Sequence, residues 1–422
     1  MMPYSGIAET LEALSEENCQ TEKVKIVANL LKRLPPEFLR PVVRLLLGKL
    51  WPPWELREMG IGQEYVAEVL ASLSDGHTDA VRFEDDPGTI AQNLITNLPQ
   101  QPLLPSKLDA FEVYQTFRQI SAQKGPGSHH RKMAYLKGLL LNATPLEAKY
   151  IVRTSLGRMG VGLGPSMMNA AIARVFEIGE CAVKEAYARF PEQGMVALIA
   201  SRDEIAEVTM TPPTPIKPMT FRRAKDIEEY LGKAPKRACV AWHGGLKIQA
   251  HKVNDSAFFY TNRLRNATFA LQDLANEVVK LRGNLVIEGE FLLVCDGEIL
   301  PLSEVVRRIN LKRYEQELDR GRPVFMVFDL LYQDGDEMLR FGYAERRKRL
   351  SRLVKGISVT DGGLSLAEET IPMTSQEAEE IYRNFQARGY QGLVVRDLEA
   401  PYTPGVQSNR DFVLQVARED TS

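Results

Sequence analysis

Cysteine is scarce in this chain of 422 residues: Cys19, Cys181, Cys239 and Cys295 are the whole supply. No two of them stand at the short spacing of a zinc-ligand pair, which argues against a structural zinc site. Scattered single thiols, with no targeting segment recognised, point to a reducing, intracellular compartment. Long hydrophobic runs are missing too. Nothing approaches the roughly 18 consecutive apolar residues of a membrane span. Net charge is nearly absent, at −2. A uniformly basic nucleic-acid binder is thereby excluded, and any contact with a polyanion must come from local patches. Internal repeats and low-complexity segments are absent as well.

What is present is ordinary globular material, 44% hydrophobic and 26% charged, enough for two or three domains with large cores. From the start to about residue 210 apolar residues recur at steps of three and four, as in Val24–Leu31 and Phe38–Leu47. Thr144 followed by Pro145 reads as an N-cap and first helical position for a helix through Arg153. Four prolines in Pro212–Pro218 cannot continue a helix and read as an extended linker. Beyond it the period changes to that of strands, in Lys247–Val253, Ala257–Tyr260, Asn284–Ile287, Val324–Phe328 and Gly392–Val395. Short helices interleave, such as Ala344–Leu353. The organisation expected is an all-α domain over 1–210, a Pro-rich linker over 211–219, and an α+β domain with antiparallel sheets over 220–422.

The second half carries a series of short motifs in a fixed order. They are Trp242–Lys252, Thr261–Leu264, Ile287–Glu290, Val327–Gly335, Glu345–Arg347, Tyr390–Arg396 and Tyr402–Gly405. In this order they resemble the nucleotidyltransferase domain of ATP-dependent DNA ligases, most closely the archaeal type. The first half resembles the helical DNA-binding domain of the same family through Leu46–Pro52, Gly127–Lys132, Leu156–Gly162 and Pro215–Met219. The chain stops just past the fifth motif, so the family's C-terminal OB-fold domain is expected to be missing.

The resemblance implies chemistry that the residues do not support. Ligation begins when a lysine amine attacks the ATP α-phosphate, a role that needs an amine able to shed a proton. Where the family reads Lys-x-Asp-Gly-x-Arg, this chain has Trp242 at the lysine and Gly244 at the aspartate. An indole offers only a weakly basic N–H donor. A slip of one residue places Ala241 and His243 there instead, with the same result. Gln391 replaces a glutamate that helps to hold metal, and an amide is a poorer ligand for a hard cation. The fifth motif aligns with Leu414 and Val416 where two lysines are expected, removing cations that stabilise phosphoryl transfer.

Lys247, Arg263, Glu290, Phe328 and Arg396 are the remnants of the nucleotide pocket. The resemblance places Glu290 near metal, Phe328 against adenine and the arginines near phosphate. Each has a plainer reading. Phe328 lies in an apolar run and reads equally as core. Glu288 and Glu290 share a strand face and can form a salt-bridged pair. Trp242 can simply fill the emptied pocket, and His243 and His251 read as structural.

Two loops of the helical half are candidates for DNA contact. One holds Lys124, Gly127, Ser128, Arg131 and Lys132, and the other Arg158, Gly160 and Gly162. Glycine-rich backbone near cations admits phosphate oxygens. As ordinary surface loops they would do nothing of the kind. The expectation is a ligase-like protein that binds duplex, nicked or broken DNA without sealing it, in repair or replication, in the cytoplasm at the nucleoid. No cofactor is expected. One rival is an active ligase or adenylyltransferase using Lys247 or Lys236, which alone would require ATP and Mg²⁺. A second is a subunit that docks repair or replication proteins.

Overall fold

The structure, a computed structural model, describes residues 2–73, 86–97, 107–224, 236–310, 321–355 and 363–415. The chain forms two compact units, residues 1–187 with 191–208, and residues 188–190 with 209–422.

The first unit is helical. Its elements are α1 (Tyr4–Glu16), α2 (Gln20–Leu31), α3 (Pro36–Leu47), α4 (Gln63–Ala71), α5 (Pro87–Thr96), α6 (Ala110–Ala122), α7 (Ser128–Leu141), α8 (Pro145–Ser155), α9 (Pro165–Val175), most of α10 (Glu180–Arg189), and α11 (Gln193–Ala200). The three- and four-residue apolar steps become one core. Ile7, Leu11, Val43, Leu46, Phe117, Ile151 and Ile172 are all fully buried within it. α8 starts as its sequence dictates. The Thr144 side chain accepts from the Glu147 N–H, and the Glu147 carboxylate accepts from the Thr144 N–H, closing a capping box. Glu192 caps α11 and also pairs with Arg40 and Arg44 of α3, so one buried carboxylate ties two helices together.

The second unit is built on two sheets. One runs in the order β1 (Thr220–Ala224), β12 (Gln407–Gln415), β11 (Gly392–Asp397), β2 (Arg237–Trp242), β10 (Glu369–Thr370). The other runs β4 (Ser256–Thr261), β3 (Leu246–Val253), β5 (Leu285–Cys295), β7 (Arg322–Gln333), β8 (Asp336–Glu337), with β6 (Glu298–Ile299) on β5 and β9 (Gly363–Leu366) on β7. Among the described residues, the helices that cover them are α12 (Gln272–Val278), α13 (Leu302–Ile309), α14 (Tyr343–Val354) and α15 (Ser375–Ala387).

The sheets are mixed rather than wholly antiparallel. β9 lies parallel to β7, because α14 returns the chain to the same end of the sheet in a β-α-β crossover. β1 lies parallel to β12, nearly the whole unit separating them in sequence. The Pro-rich stretch 211–219 also differs from a free linker. Ile216 and Met219 are buried in the second unit, in a cluster with Val286, Leu331 and Tyr402.

Candidate active site of the second unit

Residues directly opposite one another across a ladder point to the same face of a sheet. Trp242, Gly392 and Gln415 are such a set, and so are Val240, Val394 and Val413. This face includes Val240 and Val394, which pack with Phe328, Met326 and Tyr343 from outside the sheet. The alternate residues Ala241, Leu393 and Leu414 face the other way and are buried beside Phe385 of α15. On the second sheet Lys247 lies opposite Glu290, and Gln249 opposite Glu288, so these four side chains share one face.

Lys247 sits at the centre of that face. Its ammonium is 2.8 Å from Glu288 Oε2 and donates to the Met219 carbonyl at 3.0 Å. The rings of Phe221, Phe328 and Tyr402 surround it, with centroids at 5.3, 5.7 and 5.9 Å. Such a cage favours a cation electrostatically. Glu288 is buried and accepts from the Tyr402 hydroxyl at 2.7 Å and from Gln249 Nε2 at 3.3 Å. Tyr402 Oη in turn accepts the Met219 N–H at 2.8 Å. Burial, then the Glu288 charge, pushes the Tyr402 phenol well above its usual pKa. Phe221 and Tyr402 had no place among the expected pocket residues. They reach Lys247 from segments far apart in sequence.

The other charged groups are equally occupied. Glu290 accepts from the His243 backbone N–H at 3.0 Å and lies 3.2 Å from His243 Nδ1. Asp329 forms a two-pronged pair with Arg346, at 2.7 and 3.0 Å, and accepts from Arg396 at 2.9 Å. Burial opposes the Asp329 charge, but Arg346 and Arg396 prevail and hold its pKa at about 2. Arg396 is itself buried, packed 4.1 Å from the Tyr343 ring centroid. It is a core cation rather than a group presented to phosphate. Arg263 stands exposed in the turn after β4, and among the described residues no hydrogen bond or ion pair joins its side chain to the cleft. His251 is fully buried 2.9 Å from Gln249, and burial lowers its pKa to about 3, so it is neutral and structural.

Gly244 has φ +80°, and a Cβ built there would lie 2.4 Å from Gln391 Cγ. The two positions read as losses in the sequence therefore meet in space. Val416 lies outside the described residues. Among the described residues no group of three or more His, Cys, Asp or Glu side chains could hold a metal ion.

Residues 3–173 match the family model described as DNA ligase N terminus, and residues 218–412 the one described as ATP dependent DNA ligase domain. The chain is 30% identical to a DNA ligase of Thermococcus fumicolans, over 99% of this chain and 76% of that one. It is 31% identical to a DNA ligase of Methanopyrus kandleri, over 97% and 75%. The chain belongs to the ATP-dependent DNA ligase family. A solved structure described as Pmar-Lig_Pre shares its fold, with a TM-score of 0.56 over 97% of this chain and 77% of that one at 11% identity.

For a DNA ligase homologue the strand pairing corrects one expected alignment. Leu414 cannot stand where a lysine would reach a phosphate beside Trp242, because its side chain is on the opposite face, in the core with Phe385. At the Trp242 end of β12 the residues on that face are Val413 and Gln415. Neither carries a charge, so the corrected register still leaves this stretch without a cation. The alternation was available as a signal: in Phe412–Gln415 the large apolar residues are the even-numbered ones.

The candidate DNA loops of the ligase-type helical unit also differ from expectation. The Arg131 guanidinium is spent on its own loop, donating to Gln123 Oε1 at 2.7 Å and to the carbonyls of Lys124 and Pro126 at 3.0 and 3.1 Å. Lys132 donates to the Met59 carbonyl at 2.8 Å. Arg131 therefore builds the loop that leads through Gly127 into α7, whereas Lys132 ties α7 to the segment around Met59. In the second loop Lys23 reaches in to the Val161 carbonyl at 2.7 Å, between Gly160 and Gly162. The charged heads of Lys124 and Arg158 are exposed and make no ion pair among the described residues. No described helix is long and apolar enough to cross a membrane.

Proposed function

We propose that this member of the DNA ligase family binds DNA without sealing it, the helical residues 1–210 acting as the DNA-binding domain and 220–422 as a degenerate nucleotidyltransferase domain. The observation that carries this reading is the engagement of Lys247 in a chain whose lysine position holds Trp242. Trp242 stands at the place of the family's lysine. The nearby amine, Lys247, is engaged by a buried carboxylate and a carbonyl at 2.8 and 3.0 Å. An ammonium so held is a poor nucleophile.

The residues do not fit ATP with its metal as reactants. Gly244 and Gln391 replace carboxylates, Glu290 is taken by His243, and Val413 and Gln415 bring no charge to the triphosphate. Nucleic-acid contact rests on Lys124 and Arg158, with exposed backbone of the glycine loops, and is tolerant of sequence because phosphates carry none. Work at nicks or ends in repair or replication, at the nucleoid, follows from that binding. The deciding experiment is intact-mass measurement after incubation with ATP and Mg²⁺, beside an equilibrium binding assay on nicked duplex. No added AMP together with salt-sensitive binding is the expected result. A stoichiometric adduct on Lys247 or Lys236 would establish the active-enzyme reading instead.

A further inference from the structure

The proposal concerns what Trp242 does where it stands. It is the last residue of β2, half-buried on the face that includes Val240 and Val394, and its cross-strand neighbour is Gly392, which has no side chain. The chain beyond His243 continues as Gly244–Gly245, again without side chains. Partly buried apolar residues of the second unit such as Phe328, Phe221 and Tyr390 each pack on a buried cluster. Trp242 packs on none of those clusters and makes no ring contact or side-chain hydrogen bond among the described residues. The indole, set among glycines, is outside those clusters and keeps part of its apolar surface open to solvent.

The charges around it have been rearranged in a way that suits a polyanion. On the second sheet, Glu288 holds the Lys247 ammonium and Glu290 the His243 backbone N–H. Two further acidic positions are now Gly244 and Gln391, which carry no charge. Neither Glu288 nor Glu290 is therefore left as an uncompensated carboxylate that a phosphate would need a divalent ion to bridge.

We propose that Trp242 is a stacking site for an unpaired base of DNA, and that it makes this chain favour a flap or frayed nick over intact duplex without a metal ion. This rests on the DNA-binding reading above. Bases inside a duplex have both faces covered by their neighbours, whereas an unpaired base presents a free face. Stacking of a base on an aromatic side chain tolerates any sequence.

The test uses the full chain and two DNA dumbbells closed at both ends, one intact and one carrying a nick with a single unpaired nucleotide. Affinities are read by fluorescence anisotropy in EDTA, with indole emission followed in parallel. The expected result is binding to the flap dumbbell about tenfold or more tighter than to the intact one, with quenching of indole emission. Trp242→Ala abolishes the preference and the quenching, so that the flap and intact dumbbells bind alike. Trp242→Phe keeps most of the preference. A Trp242→Ala protein with the wild-type ratio of affinities overturns the proposal, as does a preference seen only when Mg²⁺ is added. Absence of binding to either dumbbell sinks the DNA-binding reading itself.

Discussion

Gly244 and Gln391 compete for one volume: a β-carbon at 244 would lie 2.4 Å from the Gln391 γ-carbon, in a backbone conformation with φ +80° that side chains rarely adopt. Restoring Gly244→Asp alone should therefore cost stability, on the order of 1–3 kcal/mol from strain and overlap. Shortening the neighbour, in Gly244→Asp with Gln391→Ala, should recover part of it. Urea melts of the two single variants and the double variant give the coupling. Additive effects would show that the two side chains do not compete.

Trp242→Lys by itself is expected to leave nick sealing undetectable. The new amine would face Gly392 and Gln415 rather than cations, and the positions beside it would still lack carboxylates for a metal. Gel assays of nick joining with ATP and Mg²⁺ decide the matter. Sealing above background would mean that the rest of the site is more competent than its residues suggest.

Acid should weaken the second unit by a route that runs through His251. Its pKa is about 3 in the folded chain against an ordinary value of 6.5. The unfolded chain therefore binds the proton first as pH falls. The stability contributed is fully present above pH 6.5 and is lost on the way down to about 3, at no more than about 1.4 kcal/mol per pH unit. Asp329 acts with the same sign lower down, between 3.8 and about 2. Urea midpoints from pH 7 to 4.5 should fall in the wild type and fall less in His251→Gln. Equal slopes would assign the acid sensitivity elsewhere.

In the helical unit Arg158 and Arg131 should separate. Arg158→Ala removes an exposed cation and should weaken DNA binding alike on unrelated sequences, making the log–log salt slope shallower by about one. Arg131→Ala removes the guanidinium that holds three groups of its own loop, and should lower the melting temperature as well as the affinity. Anisotropy titrations at several salt concentrations, with thermal melts, compare the two. Equal salt effects and no loss of stability at Arg131 would restore it as a direct contact.

These contrasts show where the sequence was readable. Thr144, Pro145 and Glu147 act on one another within three residues, so the start of α8 could be written from the sequence. The strand over Lys247–Val253 and the helix over Ala344–Leu353 followed from periodicity in the same way. Lys247 did not yield its partners, because Met219, Glu288 and Tyr402 come from three other segments. Arg396 looked like a phosphate ligand until Asp329, 67 residues away, was found beside it. Leu414 was misplaced for a different reason: a motif aligned by residue type can slip by one, and in a strand one residue exchanges the two faces.

The Pro-rich stretch has the composition of an extended linker, yet its backbone is fastened at four points. The Ile216 N–H and carbonyl both meet the Gln249 amide, at 3.0 and 3.4 Å, while Met219 gives its N–H to Tyr402 and its carbonyl to Lys247. Digestion should therefore spare residues 216–219 in the native chain. Because Lys247 and Tyr402 also hold Glu288, whatever draws the lysine out of its aromatic cage would unfasten that backbone too, and a newly cleavable peptide bond would report the event.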